Sequence, residues 1–297
     1  MKLKKVIFWV VAVVISLAAM VYQRMTGPTY PKKYTFMYQG EEYRFSLPRS
    51  NNGRPGDYPV EIELPGTFSA DLVWRLFPTD NPWDTLAMER EGDTLKAGLP
   101  HQPPAGKIEY HVELTADGNP VDMQEAENVV FRFRGDVPAW ALIPHVLMMI
   151  LTVIWSTATI IFALANIPSY RKHMGVTIIF LLIGGFILGP IVQKYSFGQF
   201  WTGWPLGEDM TDNKVLFALI AFLIAWFLRK KSYGRWLAIA AALVMLAVYL
   251  IPHSMNGSEL DIETGEVVTG SFMILAAGTG RRRSNRSKHT GHAALPV

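Results

Sequence analysis

The tripeptide Ile-Pro-His occurs twice in this chain, as Ile143-Pro144-His145 and Ile251-Pro252-His253, each time at the edge of a long apolar segment. Imidazoles beside carboxylates can bind a metal or move a proton. Acids are close in sequence: Glu208, Asp209 and Asp212 in the stretch 201–214, then Glu259 and Asp261 after His253. The candidate ligands are therefore His145, His253, Asp209, Asp212 and Glu259. Mixed imidazole and carboxylate sets suit Zn, Fe, Mn or Cu(II), and two histidines on facing helices could ligate a haem. Met148, Met149 and Met255 follow the histidines, and thioether plus imidazole is a Cu(I) set.

The plainer reading of the same residues carries more weight. Proline is natural in the first turn of a helix and just past its end. Histidine and carboxylates sit comfortably at a membrane surface without special partners, and methionine fills gaps in packed helices. No H-x-x-x-H, H-x-x-E-H or C-x-x-C-H spacing marks a local site. Asp209 and Asp212 beside a helix start read as a cap and a loop brace before an acid–base pair. His253-Ser254 lacks a G-x-S-x-G context and cannot easily form a catalytic hydrogen bond between neighbours. Gly278-Thr279-Gly280 lacks the Lys-Ser/Thr of a P-loop, and Asn256-Gly257-Ser258 is a sequon only in a glycosylating host.

These residues depend on five apolar segments, expected as spans over 6–22, 139–167, 175–193, 215–228 and 236–251. The fourth is short unless 212–214 form its first turn, with Asp212 as the N-cap. Lys2, Lys4 and Lys5 precede the first span; Arg171 and Lys172 follow the second. Arg229, Lys230, Lys231 and Arg235 separate the fourth from the fifth. Short loops rich in Lys and Arg stay in the cytoplasm, so five crossings beginning inside put all three clusters on one side. Trp140, Tyr195, Trp201, Trp204 and Trp236 fall where an aromatic belt is expected. A cleaved signal peptide is the alternative for 6–22, but its length and the lack of an A-x-A site favour an uncleaved anchor. Within the spans, Thr152, Ser156 and Thr159 form one face, and Gly185 and Gly189 form G-x-x-x-G; both are packing signals first.

The expected organisation is an anchor over 1–28, an extracytoplasmic all-β sandwich over 29–137, a four-helix transmembrane domain over 138–255 and an extracytoplasmic, partly disordered tail over 256–297. The setting is a cell (inner) membrane. Arg281, Arg282, Arg283, Arg286 and Lys288 in that tail run against the charge rule and have no account. The net charge of +3 is too small to point to nucleic acid, and the short cytoplasmic loops cannot house a nucleotide domain. The chain has no cysteine, which excludes disulfides and thiol chemistry and favours a bacterial envelope. No charged residue lies inside a span, which argues against a proton relay or a voltage sensor.

Short β-type runs with turn signals fill the region between the first two spans: 34–38, 43–47, 60–64, 70–77, 85–90, 95–97, 107–114 and 129–133. In 107–114, Ile108, Tyr110 and Val112 alternate with Glu109, His111 and Glu113, the pattern of a half-buried strand. The stretch Leu99-Pro100-His101-Gln102-Pro103-Pro104-Ala105-Gly106-Lys107-Ile108-Glu109-Tyr110 resembles the E–F corner of fibronectin type III and related immunoglobulin-like domains. The resemblance implies that the Tyr110 hydroxyl bonds back across the corner, that Trp74 lies between two sheets, and that the domain binds or braces a partner. The expected function is an accessory, assembly or partner-binding subunit, with the lipid bilayer and a membrane or envelope protein as its partners. The alternative is a membrane metalloenzyme or electron-transfer subunit with Cu, Zn, Fe, Mn or haem at the outer face.

Overall fold

The apolar segments fold as helices in the computed structural model of the chain, which describes residues 2–51, 53–123, 127–252, 258–262, 264–265 and 267–268. Helix α1 spans Lys2–Thr26 and α2 spans Ala139–Leu164. Next comes a 28-residue rod, Tyr170–Phe197, made of α3 (Tyr170–Leu181), a π-helical stretch Leu182–Leu188 and α4 (Gly189–Phe197). Helices α5 (Met210–Phe227) and α6 (Gly234–Leu250) complete the bundle. Four of these, counting the rod as one, are long and apolar enough to cross a membrane; α6 is apolar but has only 17 residues. The fourth expected span starts earlier than its apolar run because Asp209, not Asp212, is the N-cap, accepting from the Thr211 N–H.

Helix α2 is the centre of the bundle, packing against α1, α3, the π stretch and α6. Its hydroxyl face is internal: Thr152, Ser156 and Thr159 are all buried, and Thr152 and Thr159 donate to carbonyls one turn back. Helix α1 buries only Ala12, Ser16 and Ala19, small residues that let it approach closely. Ser16 donates to Thr157 at 3.1 Å, and Trp9 packs edge-on to Trp155. The π stretch has a local cause. Pro190 brings no N–H, and the Gly189 N–H reaches back five residues to the Gly184 carbonyl.

Between α1 and α2 the chain is all β. Strands β1 (Lys32–Tyr38) and β2 (Glu41–Leu47) pair through a two-residue turn, Gln39-Gly40, both with positive φ. That turn is tighter than the four-residue connection expected from hydropathy. Strands β3 (Tyr58–Glu63), β6 (Glu89–Glu91) and β7 (Thr94–Leu99) form a sheet in the order β3-β7-β6. Strands β4 (Phe68–Phe77), β5 (Asp84–Ala87), β8 (Lys107–Ala116) and β10 (Val129–Arg132) form another in the order β10-β8-β4-β5, and β9 (Asn119–Pro120) pairs with β8. All strand pairs are antiparallel. Ile108, Tyr110 and Val112 point into one shared core with Phe36, Phe45, Ile62, Phe68, Leu72, Leu95, Leu99 and Phe131. Trp74 is half-buried against it. Tyr110 does not bond across the 99–110 corner; its hydroxyl donates to the Pro48 carbonyl at the end of β2, 2.7 Å away.

The expected tail begins as structure. Strands β11 (Glu259–Leu260) and β12 (Val267–Val268) pair with each other, and the Leu260 N–H donates to the Ala105 carbonyl of the β region. The basic cluster 281–288 lies outside the described residues.

Candidate functional site

His145 stands in the second turn of α2, and its Nδ1 lies 2.9 Å from the Gly184 carbonyl in the π stretch. A carbonyl only accepts, so Nδ1 carries the hydrogen, and in the neutral ring Nε2 is left as an acceptor. The π stretch thus does local work: it brings a backbone carbonyl to the imidazole and fixes its tautomer.

The acids come from a loop that folds back on the start of α5. Asp212 accepts from the Thr202 N–H at 2.7 Å and its hydroxyl at 3.1 Å, while Asn213 accepts from the Trp204 N–H at 2.7 Å. Gln193 of α4 donates to the Thr202 hydroxyl. Gly203 permits this closeness, since a Cβ there would sit 2.6 Å from Asp212 Cβ. Asp209 is buried and caps α5, its Oδ1 2.6 Å from the Thr211 nitrogen. Lys214, also buried, donates to the Ile251 and Pro252 carbonyls at 3.0 and 3.1 Å and so ties the end of α6 to α5.

A cavity of about 220 Å³ lies between α2, the rod and α5. Arg134, His145, Gln193, Asp209, Thr211 and Asp212 give it polar walls; Met149, Val192, Phe197 and Val215 give apolar ones. Three of the five residues proposed from sequence therefore share one space, with Met149 beside them. His253, Ser254 and Met255 lie outside the described residues. Glu259 is elsewhere, 2.5 Å from Lys107 of β8.

Sequence reasoning missed the basic half of this junction. Arg132 of β10 is 8 % exposed, donates to the Ser258 carbonyl and lies 5.2 Å from the centre of the Phe197 ring. Burial pushes its pKa down, and the nearby charges of Asp209 and Glu259 counter that. Arg134 is lowered by burial and by the proximity of Arg24. Lys107 and Arg132 are cross-strand partners, an unfavourable pairing of like charges. Burial lowers Lys107 as well, with Glu259 opposing the shift. The available signal was Phe131-Arg132-Phe133-Arg134, two arginines at strand spacing just before an apolar helix.

Chemically, the cavity offers one imidazole, two carboxylates, a guanidinium and an amide. Among the described residues, no group of three or more His, Cys, Asp or Glu is placed to hold a metal ion. Its volume falls below the roughly 300–1,000 Å³ of ordinary ligand pockets and is too small for a haem. Water or a small polar group fits it. The fold and site together define an all-β region seated on one end of an apolar helix bundle, with polar and charged residues at the junction between them. No family model matches the chain, and no curated protein or solved structure does either.

Proposed function

We propose that this chain is a multi-pass envelope membrane protein that acts as an accessory, assembly or partner-binding subunit through its β region. Five helices cross a cell membrane, with the N-terminus in the cytoplasm and the β region and the segment after α6 outside. The three basic clusters support this orientation. In this reading the β region is an immunoglobulin-like sandwich, supported by antiparallel sheets closing on one core.

One observation carries the functional part: the polar residues at the junction are engaged in holding the parts together. Asp209 caps a helix, Asp212 braces a loop, His145 ties α2 to the rod, and Glu259 ties the post-α6 segment to β8. The Gly135 N–H donates to the Ser196 carbonyl at 2.9 Å, adding a backbone link between the strand exit and α4. Such investment suits a protein that presents a rigid β surface at a fixed height above a membrane. The test is crosslinking in native membranes followed by purification in mild detergent. A stoichiometric partner that is lost with Glu61→Lys plus Glu63→Lys, exposed charges on β3, is the expected result. A protein that captures nothing under crosslinking sinks the reading.

A second reading rests on the cavity. His145, Asp209 and Asp212 line that one space, although no three such residues among those described are placed to hold a metal ion together. Near-stoichiometric Cu, Zn, Fe or Mn in purified protein, falling when His145→Ala is introduced, would favour it over the first.

A further inference from the structure

A separate cavity of about 380 Å³ opens where the last turn of α1 meets the base of the β region. Met25, Thr26, Tyr30, Lys32, Arg49 and Glu127 line it. Arg49 follows β2, and its backbone is fixed: its carbonyl accepts from the Arg132 N–H at 3.1 Å. Its side chain is half-buried, with Nε out of reach of solvent, and no described residue accepts a hydrogen bond from the guanidinium or forms an ion pair with it. Burial lowers its pKa. The carboxylate in the lining, Glu127, is already engaged with Lys32 at 2.5 Å and points to solvent. Arg24 is outside the lining; it donates to Thr29 at 3.3 Å and lies close enough to Arg134 to repel it.

A half-buried guanidinium without an acceptor among the described residues, in a cavity that Lys32 also lines, is a site for an oxyanion, and the fork of an arginine matches phosphate in particular. Depth names the source. A 25-residue helix is about 37 Å long, against about 30 Å of hydrocarbon, so the last turn of α1 stands among lipid headgroups. Exposed Met25 of the lining and exposed Tyr22, one turn before it on α1, offer an apolar surface for acyl chains. We propose that this cavity binds a phosphate oxyanion, the headgroup of an anionic phospholipid, with Arg49 as its principal donor and Lys32 as a supporting charge. The phosphate chemistry stands on the cavity; its assignment to a lipid rests on the membrane reading above.

The experiment uses the full chain reconstituted in phosphatidylcholine vesicles containing phosphatidylglycerol, then released in mild detergent for native mass spectrometry. Wild type is expected to retain phosphatidylglycerol in preference to phosphatidylcholine. Arg49→Gln is expected to weaken that retention roughly 10- to 100-fold, the worth of a charge-assisted hydrogen-bond pair. Arg49→Lys, which keeps the charge and loses the fork, is expected to fall between them, and Arg54→Gln, an exposed arginine outside the cavity, to match wild type. Equal retention by wild type and Arg49→Gln overturns the proposal, provided both melt at the same temperature. Should Arg49→Gln fail to fold, the graded loss with Arg49→Lys decides alone. Inorganic phosphate that binds the lipid-free protein with the same Arg49 dependence overturns the lipid assignment. Alkaline carbonate extraction of the source membranes separates the two readings, since wild type released from the pellet sinks the membrane reading whatever the lipid result.

Discussion

Asp209 and Asp212 sit three residues apart and hold the same loop by different means, so substitution separates them. Asp209→Ala is expected to cost at least the ~1 kcal/mol of an N-cap, and Asp209→Asn, which keeps an acceptor oxygen, to recover that part. Asp212→Ala leaves the Thr202 N–H and hydroxyl without their acceptor in a buried place, a loss of about 1–3 kcal/mol. Thermal unfolding in detergent reads both. Tyr34 makes a residue-scale prediction in the β core. Burial first, and the Glu127 charge next, push its pKa up to about 12 from 10.0. A folded value above the unfolded one means that the stability is complete below pH 10.0 and is lost as pH rises through about 12. Alkaline unfolding of the β region is expected to set in within that window and to be less steep in Tyr34→Phe, followed by circular dichroism alongside tyrosinate absorbance.

At the level of elements, the π stretch and its two glycines set the geometry around His145. A Cβ on Gly185 would lie 2.6 Å from Val215 Cγ1 of α5. Gly185→Ala is therefore expected to destabilise by about 1–3 kcal/mol through overpacking. Adding Val215→Ala is expected to return most of that loss, a coupling that a double-mutant cycle measures. Additive costs would mean that α5 and the rod do not meet there. The G-x-x-x-G pattern announced this contact in the sequence. Its partner helix and the π turn beside it were not legible, because periodicity describes one helix and not the neighbour it meets.

Across the whole molecule, Glu259 compensates the like-charged neighbours Lys107 and Arg132 and clasps the post-α6 segment to β8. Glu259→Ala removes the ion-pair partner of half-buried Lys107 and leaves Arg132 with Asp209 as its nearby acid, and is expected to cost about 1–3 kcal/mol, whereas Glu259→Leu combined with Lys107→Met costs less than either single change. A double-variant cost equal to the sum of the two single costs, measured by thermal unfolding, would show that the pair is not coupled. The lack of cysteine makes topology directly testable. Thr85→Cys, on exposed β5, is expected to react with an impermeant maleimide in intact cells, and Ser232→Cys, between α5 and α6, only after lysis. The reverse pattern would invert the proposed orientation.

Helix placement, the alternation of β8 and the nomination of His145, Asp209 and Asp212 all came from the sequence alone, because hydropathy, period and charge are properties of neighbouring residues. Tertiary structure decided which of those nominees meet. His145 and Gly184 are 39 positions apart, Glu259 and Lys107 are 152 apart, and Arg132 reaches a carbonyl 126 residues away. Such pairings arise when separate elements pack, and each buried polar group then takes the nearest group able to satisfy it. That is why Glu259 pairs with Lys107 rather than with the proposed cluster, and why Arg132 and Arg134, at alternate positions near the end of the last large strand, became the basic half of the junction.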